Sequence, residues 1–173
     1  MRKIILGVAV SLDGFIEGPN GEYDWCFTDQ DYGMTAFLKN VDALFFGRKS
    51  YEVMMNAEAP PGDNPWAGMK NYVFSNTLKT APEDAELISG DIGSAVRRIK
   101  NEVGKDIWLF GGASLTTSLL NEGLVDEFWL AVHPILLGKG KPLFVNLNGR
   151  IKTELLSSKA YETGLVSLVY RVG

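Results

Sequence analysis

Short apolar runs alternate along the chain with segments whose apolar residues recur at helical spacing. Five of these runs are apolar nearly throughout, which is typical of strands covered on both faces. They are IILGVAV (4–10), ALFF (43–46), NYVFS (71–75), DIWLF (106–110) and DEFWLAVHPIL (126–136). Strands that alternate with helices predict an α/β fold with a mixed, mostly parallel central sheet flanked by helices.

The segments between the runs carry the helix signals, and the last third of the chain changes character. Apolar residues recur at three- and four-residue steps over 32–41, 92–103 and 114–122. Residues 154–172, ELLSSKAYETGLVSLVYRV, are instead typical of two strands around a Glu-Thr-Gly turn. We therefore expect a C-terminal antiparallel hairpin at one side of the sheet.

Length and composition fit one domain over residues 1–173, since no repeat or linker divides the chain. The net charge of −4 argues against general binding to nucleic acid or anionic membranes, and no apolar stretch is long enough to span a bilayer. The single cysteine, Cys26, and the single histidine, His133, exclude an internal disulfide and a clustered Cys/His zinc site. A reducing cytoplasm is the expected compartment.

The segment FFGRKSYE (45–52) contains the first strand–glycine–helix junction. Such a junction leaves the first amides of the helix unpaired and directed outward, which favours anions. Gly47 allows close approach to the backbone, Arg48 and Lys49 add charge, and Ser50 adds a hydroxyl donor. These residues predict a phosphate site; the alternative is a helix start with Ser50 as its cap and two solvated cations.

A second junction of the same type lies in DIWLFGGASLTTSLL (106–120). The pair Gly111-Gly112 removes side chains where a pyrophosphate would touch backbone, and Ala113-Ser114 opens the next helix. Two such junctions in one chain favour a ligand with several phosphates.

Neutral donors follow the third strand, at Ser75 and Asn76. An acidic residue in this position selects NAD by binding the ribose 2′-hydroxyl, so its replacement by neutral groups, with Lys79 nearby, favours a 2′-phosphate and hence NADP. The alternative interpretation of Ser75 and Asn76 is a polar turn.

The ordered motifs resemble the dihydrofolate reductase superfamily, and most closely its riboflavin-biosynthesis reductase branch, typified by the RibD C-terminal domain. They are AVSLDGFIEG (9–18), FFGRKSYE (45–52), YVFSN (72–76), IWLFGGASL (107–115) and DEFWLAVHPILLGKGKPLF (126–144). The resemblance covers nearly the whole chain. It implies the three-layer fold of that superfamily and NADPH as the hydride donor.

The resemblance also implies roles for individual residues. Ala9 and Ile16 would present backbone groups to the nicotinamide, and Asp13 would be a turn residue leading into the loop that covers it. Ser75 and Asn76 would face the adenosine. Phosphates would be held by Gly47, Arg48, Lys49, Ser50, Gly111, Gly112, Ala113 and Ser114.

By the same resemblance Asp31 occupies the position of the acid that binds the pterin ring in folate enzymes, sixteen residues before Gly47. Asp31 would supply a proton if burial raised its pKa. The alternative is that Asp29 or Asp31 caps the helix that follows. Folate enzymes carry a threonine where this chain has Ala131, which favours a relative with another substrate.

Aromatic residues supply candidates for the substrate side. Trp25 lies just upstream of Asp31, and Trp66 lies in the proline-rich segment 56–70, which predicts a surface loop. His133 precedes Pro134 at a predicted strand end and is interpreted as a structural histidine rather than a triad member.

Together these observations predict an NADPH-dependent reductase that transfers a hydride to a C=N-type bond of a pyrimidine or pterin-like heterocycle. The nearest activity implied is that of 5-amino-6-(5-phosphoribosylamino)uracil reductase in riboflavin biosynthesis. The alternatives are a dihydrofolate reductase and a non-catalytic NADPH-binding protein. No metal is expected, and exposed strand edges together with the resemblance predict a homodimer.

Overall fold

The computed structural model describes residues 1–56 and 67–173, and an eight-stranded sheet organises this part of the chain. In spatial order its strands are β5 (Ala85–Ile88), β4 (Lys70–Phe74), β3 (Val41–Gly47), β6 (Asp106–Gly111), β1 (Ile4–Ser11), β7 (Glu127–His133), β10 (Val166–Val172) and β9 (Thr153–Ala160). The first six of these strands are parallel, while β10 runs antiparallel to both of its neighbours, β7 and β9. The predicted mixed sheet and C-terminal hairpin are confirmed.

Helices cover both faces of this sheet. On one face α3 (Ile92–Asn101) and α4 (Ala113–Asn121) bury Val96, Ile99 and Leu119 against strand residues such as Leu109. On the other face α1 (Met34–Leu38) and α2 (Arg48–Asn56) pack on a second core. This core contains Val41, Leu44, Phe46, Val73 and Trp108. The result is the three-layer fold expected from the resemblance.

A second, two-stranded sheet joins β2 (Phe15–Glu17) to β8 (Lys141–Pro142). Gly140 makes this junction possible, because a Cβ atom there would lie 2.2 Å from the backbone oxygen of Glu17. In the part of the chain that the structure describes, no helix is long and apolar enough to cross a membrane.

The helix predicted over 32–41 is shorter than expected and covers only Met34–Leu38. Tyr32 and Gly33 have φ angles of 49° and 92°, which lie in the left-handed region and cannot continue a right-handed helix. The apolar spacing correctly indicates a helix, but the backbone conformation of these two residues determines where that helix begins.

His133 fixes the end of β7 to the segment that precedes α1. Its side chain is 3% exposed, Nδ1 donates to the carbonyl of Ala131 at 2.9 Å, and Nε2 accepts from the amide of Phe27 at 3.0 Å. The rings of Trp25 and Phe27 pack edge-on against the imidazole. Burial lowers the pKa of His133, so the ring is neutral. These contacts agree with the structural role that the sequence predicts for this histidine.

We expect the free energy of unfolding to fall as the pH drops below 6.5, the ordinary pKa of the His133 side chain. The unfolded chain binds a proton there first because the folded pKa is lower, so stability is complete above 6.5 and is lost below it. The slope is at most about 1.4 kcal/mol per pH unit. Urea unfolding of the wild type and of His133→Gln, at several pH values between neutral and mildly acidic, measures this slope. An equal slope in both proteins would contradict the assignment of the pH dependence to His133.

Candidate functional site

The carboxyl ends of five neighbouring parallel strands form one edge of the sheet. Across this edge, β4 leads into Ser75, β3 ends at Gly47, β6 at Gly111, β1 at Ser11 and β7 at His133. Ligands of open α/β sheets bind outside the carboxyl ends of the strands. The edge is therefore the candidate site, and both predicted glycine junctions lie on it.

The two glycine junctions are in contact with each other. A Cβ atom on Gly112 would lie 3.3 Å from Ser50 Oγ and 3.5 Å from Gly47 Cα, and one on Gly47 would lie 3.8 Å from the carbonyl oxygen of Gly111. Their strands β3 and β6 are adjacent and parallel. The structure thus brings Gly47, Ser50, Gly111 and Gly112 together, and we call these four residues the glycine cradle.

The start of α4 presents amide groups to this cradle. Gly112 is the N-cap residue and, as a glycine, has no side chain with which to cap the helix. Gly111 and Gly112 have φ angles of 138° and 99°, a conformation that residues with side chains rarely adopt. Ala113 and Ser114 form the first turn, so the positive end of the helix dipole faces the cradle.

Arg48 opens α2 beside the cradle and already has a partner. Its guanidinium contacts the Glu52 carboxylate at 3.0 Å, one helical turn away, with both side chains well exposed. Lys49 is also exposed. The sequence analysis missed Glu52, although its i,i+4 spacing from Arg48 is visible in the sequence.

Ser75 and Asn76 both bind nearby backbone in the structure. Ser75 Oγ accepts from the amides of Thr77 and Leu78 at 3.1 Å each, and Asn76 Oδ1 accepts from the amide of Gly90 at 2.9 Å. These contacts are those of the polar-turn alternative. Contact with adenosine stays a prediction for both residues.

Asp13 connects the turn after β1 to the loop after β7. Its carboxylate accepts from Ser11 Oγ at 2.6 Å and from the amides of Leu137 and Gly138 at 3.1 and 2.7 Å. The Ser11 hydrogen bond, followed by these amides, lowers the pKa of Asp13, so the residue is a charged clamp rather than a proton donor. Ala9 and Ile16 lie on β1 and β2, on either side of this turn.

Asp31 is exposed, so the condition under which it would supply a proton, burial that raises its pKa, is not met. The Thr35 hydroxyl and amide donate to Oδ1, and the amide of Gly33 donates to Oδ2, which lowers the pKa of Asp31. These bonds cap the start of α1. The neighbouring Tyr32 hydroxyl contacts Asp29 and, in the C-terminal hairpin, Thr163. A catalytic role for Asp31 stays a prediction that these contacts do not favour.

Trp25 is half-buried, and its ring centroid lies 5.3 Å from that of His133. Its Nε1 atom is buried and has no hydrogen-bond partner among the described residues. A buried donor without a partner is costly. Trp66, the other aromatic substrate candidate, lies outside the residues that the structure describes.

The model of the RibD C-terminal domain family matches residues 2–167. The chain belongs to this family. Among relatives, the uncharacterized YyaP of Bacillus subtilis (strain 168) is 44% identical over 178 residues, covering 98% of this chain and 94% of YyaP.

Solved structures show the same fold. A Shewanella sp. PV-4 protein named as a candidate riboflavin biosynthesis protein has a TM-score of 0.83 and 26% identity, covering 100% of this chain and 99% of its own. Dihydrofolate reductase from Enterococcus faecalis, solved with NADP(H), has a TM-score of 0.67 and 15% identity, covering 98% and 94%. The RibD-like and dihydrofolate reductase-like architecture predicted for this chain is confirmed.

Gly112→Ala tests the glycine cradle. We expect it to cost about 1–3 kcal/mol of stability, since the positive φ angle is strained for alanine. We also expect it to weaken binding of inorganic pyrophosphate about tenfold, because the new methyl group presses on Ser50 and Gly47 and displaces the donors of the cradle. Calorimetric titration and thermal unfolding measure the two effects. Gly123→Ala is the matched control, because Gly123 also has a positive φ angle, of 64°, but a Cβ there meets nothing within 4 Å. Equal pyrophosphate affinity in both variants would contradict the site.

Proposed function

We propose that the protein is an NADPH-dependent reductase that transfers a hydride to a C=N-type bond of a pyrimidine or pterin-like heterocycle. The observation that carries the proposal is the contact between the junctions of Gly47 and Gly112 at the carboxyl edge of adjacent strands. A pyrophosphate can contact two such glycine junctions at once, whereas a single phosphate needs only one.

The residues of the edge fit NADPH. The three glycines of the cradle have no side chain where the pyrophosphate would touch backbone, Ser50 adds a hydroxyl beside them, and the first turn of α4 offers the amides of Ala113 and Ser114. When bound, NADPH supplies the hydride, and the protein supplies its position and the exclusion of water. The backbone at Ala9 and Ile16 would align the nicotinamide beside the turn that Asp13 clamps.

Arg48 and Lys49 would select NADPH over NADH by binding the 2′-phosphate. To do so, the Arg48 guanidinium exchanges Glu52 for the phosphate, and the exposure of both side chains makes this exchange inexpensive. Ser75 and Asn76 would lie on the adenosine side. The NADP(H) in the Enterococcus structure supports the same cofactor for this fold.

The substrate would lie against the Trp25 side of the edge, where a flat ring would meet the aromatic side chains that pack around His133. Membership of the RibD C-terminal domain family supports an aminouracil bearing a ribosyl phosphate as the substrate class. We further propose that residues 1–173 act as one catalytic domain in the cytoplasm, with Trp66 as a second substrate contact.

Turnover separates the proposal from its alternatives. A reductase oxidises NADPH when an aminouracil ribosyl phosphate is added, a dihydrofolate reductase does so with dihydrofolate, and a sensor binds NADPH without consuming it. Absorbance of NADPH after each addition distinguishes these three outcomes.

Arg48→Ala tests cofactor selection. We expect NADPH to bind about tenfold more weakly, because a charge-assisted contact is lost, and NADH to change by less than about twofold. Fluorescence titration measures both affinities. Arg98→Ala is the matched control, since Arg98 on α3 forms the same kind of i,i+4 ion pair, at 2.9 Å, with Glu102 just after the helix. Equal losses for NADPH and NADH, or an equal effect of Arg98→Ala, would refute the assignment.

Asp31→Asn separates the two interpretations of Asp31. Asparagine keeps an acceptor for the cap but has no acidic proton, so a capping role predicts turnover within about threefold of wild type. Loss of a general acid would reduce turnover about a hundredfold or more. Steady-state rates with NADPH and the aminouracil substrate decide between them, and the larger loss would restore Asp31 as the catalytic acid.

A further inference from the structure

The chain contains two Asn-Gly pairs, Asn20-Gly21 after β2 and Asn148-Gly149 in the loop between β8 and β9. In such a pair the amide nitrogen of the glycine can attack the side-chain carbonyl carbon of the asparagine, because glycine has no Cβ atom to hinder the approach. The attack needs a free asparagine side chain and a glycine amide that is not committed to a hydrogen bond. The two pairs differ in the state of the glycine amide.

The pair Asn148-Gly149 lies in an exposed stretch that is neither helix nor strand. In the described ranges 1–56 and 67–173, no group accepts a hydrogen bond from the Gly149 amide, and none binds the Asn148 side chain. A Cβ atom on Gly149 would meet nothing within 4 Å, so the space around the pair is open. The Asn148 side chain can therefore turn onto the Gly149 nitrogen without breaking a contact.

The pair Asn20-Gly21 is instead held in a closed turn. The Gly21 amide donates to the carbonyl of Gly18 at 3.1 Å. Two further bonds tie this turn to Glu22: the Gly18 amide donates to its carbonyl at 2.8 Å, and the Asn20 amide donates to its carboxylate at 2.7 Å. Attack by the Gly21 nitrogen requires its own hydrogen bond to break first, so the turn opposes the reaction.

We propose that Asn148 is a site of spontaneous deamidation in the folded protein, and that the turn at 18–22 protects Asn20. The Gly149 nitrogen forms a bond to Cγ of Asn148, the Cγ–Nδ2 bond breaks, and the amide proton of Gly149 leaves with the amino group as ammonia. A water molecule then opens the succinimide ring at either carbonyl carbon and produces aspartate or isoaspartate. This inference does not depend on the proposed reductase activity.

The position of Asn148 gives the modification a structural consequence. Asn121, the last residue of α4, fastens the loop to that helix, since its side chain accepts from the Asn148 amide at 2.9 Å and donates to the Asn146 carbonyl at 3.2 Å. Isoaspartate adds a carbon atom to the main chain between these bonds and Ile151, which packs against the first core. Either product also adds a negative charge near the C-terminal end of α4, where the helix dipole disfavours it. The modified protein is therefore less stable.

Peptide mapping by mass spectrometry tests the proposal on the folded wild type, incubated at mildly alkaline pH, which favours the deprotonated amide that attacks. We expect aspartate and isoaspartate to accumulate at position 148 much faster than at position 20. In urea, where the turn at 18–22 is lost, the two pairs should react at similar rates. Faster modification of Asn20 than of Asn148 in the folded protein, or the same preference for Asn148 in urea, would overturn the proposal.

Gly149→Ala tests the site itself, because the added methyl group hinders the attack. The fold has room for it, since Gly149 does not have a positive φ angle and its Cβ would meet nothing within 4 Å. This variant should lose most of the modification at Asn148, whereas Asn20→Gln, the matched control in the other pair, should leave the rate at Asn148 unchanged.

Thermal unfolding before and after the incubation measures the consequence for stability. The midpoint of the wild type should fall during the incubation, and that of Gly149→Ala should stay constant. Modification of Gly149→Ala at the wild-type rate, or equal changes of midpoint in the two proteins, would refute the assignment. NADPH binding tests the reductase proposal separately.

Discussion

The contact between two backbone corners, at Gly47 and Gly112, is the constraint on which the candidate site depends. It exists because β3 and β6 are adjacent and parallel, so that both strands deliver their carboxyl ends to one edge. If other strands separated β3 from β6, each glycine junction would be an anion site on its own, and neither could share a pyrophosphate with the other. Glycine at both corners lets the backbones approach to van der Waals distance and gives α4 an N-cap residue without a side chain.

Charged and polar clamps hold the loops on the other side of this edge. Asp13 fixes the amides of Leu137 and Gly138, and His133 fixes the amide of Phe27. Asp13 is ionised, because hydrogen bonds lower its pKa, and His133 is neutral, because burial lowers its pKa. The walls of the site are thus set before any ligand binds, which reduces the entropy that binding must overcome.

The strands and the glycine junctions could be predicted because the apolar pattern of a strand and the conformational freedom of glycine are properties of short stretches of sequence. The environment of Asp31 could not, since its exposure depends on how α1 begins, and the positive φ angle of Tyr32 leaves no clear sequence signal. The short strand β5 was also missed, because ordinary polar residues surround its apolar ones. In β9, Leu155 pairs with Tyr170 and Ser157 with Val169, so Leu156 is an extra residue; this bulge depends on pairing with β10 and is visible only in three dimensions.

The most direct test of the cradle is an amide NMR titration of the ¹⁵N-labelled protein with NADPH. The account predicts the largest shifts at Gly47–Ser50 and Gly111–Ser114, with saturation of both groups at one common dissociation constant. Shifts confined to one junction, or strongest on a surface away from the carboxyl edge, would contradict it.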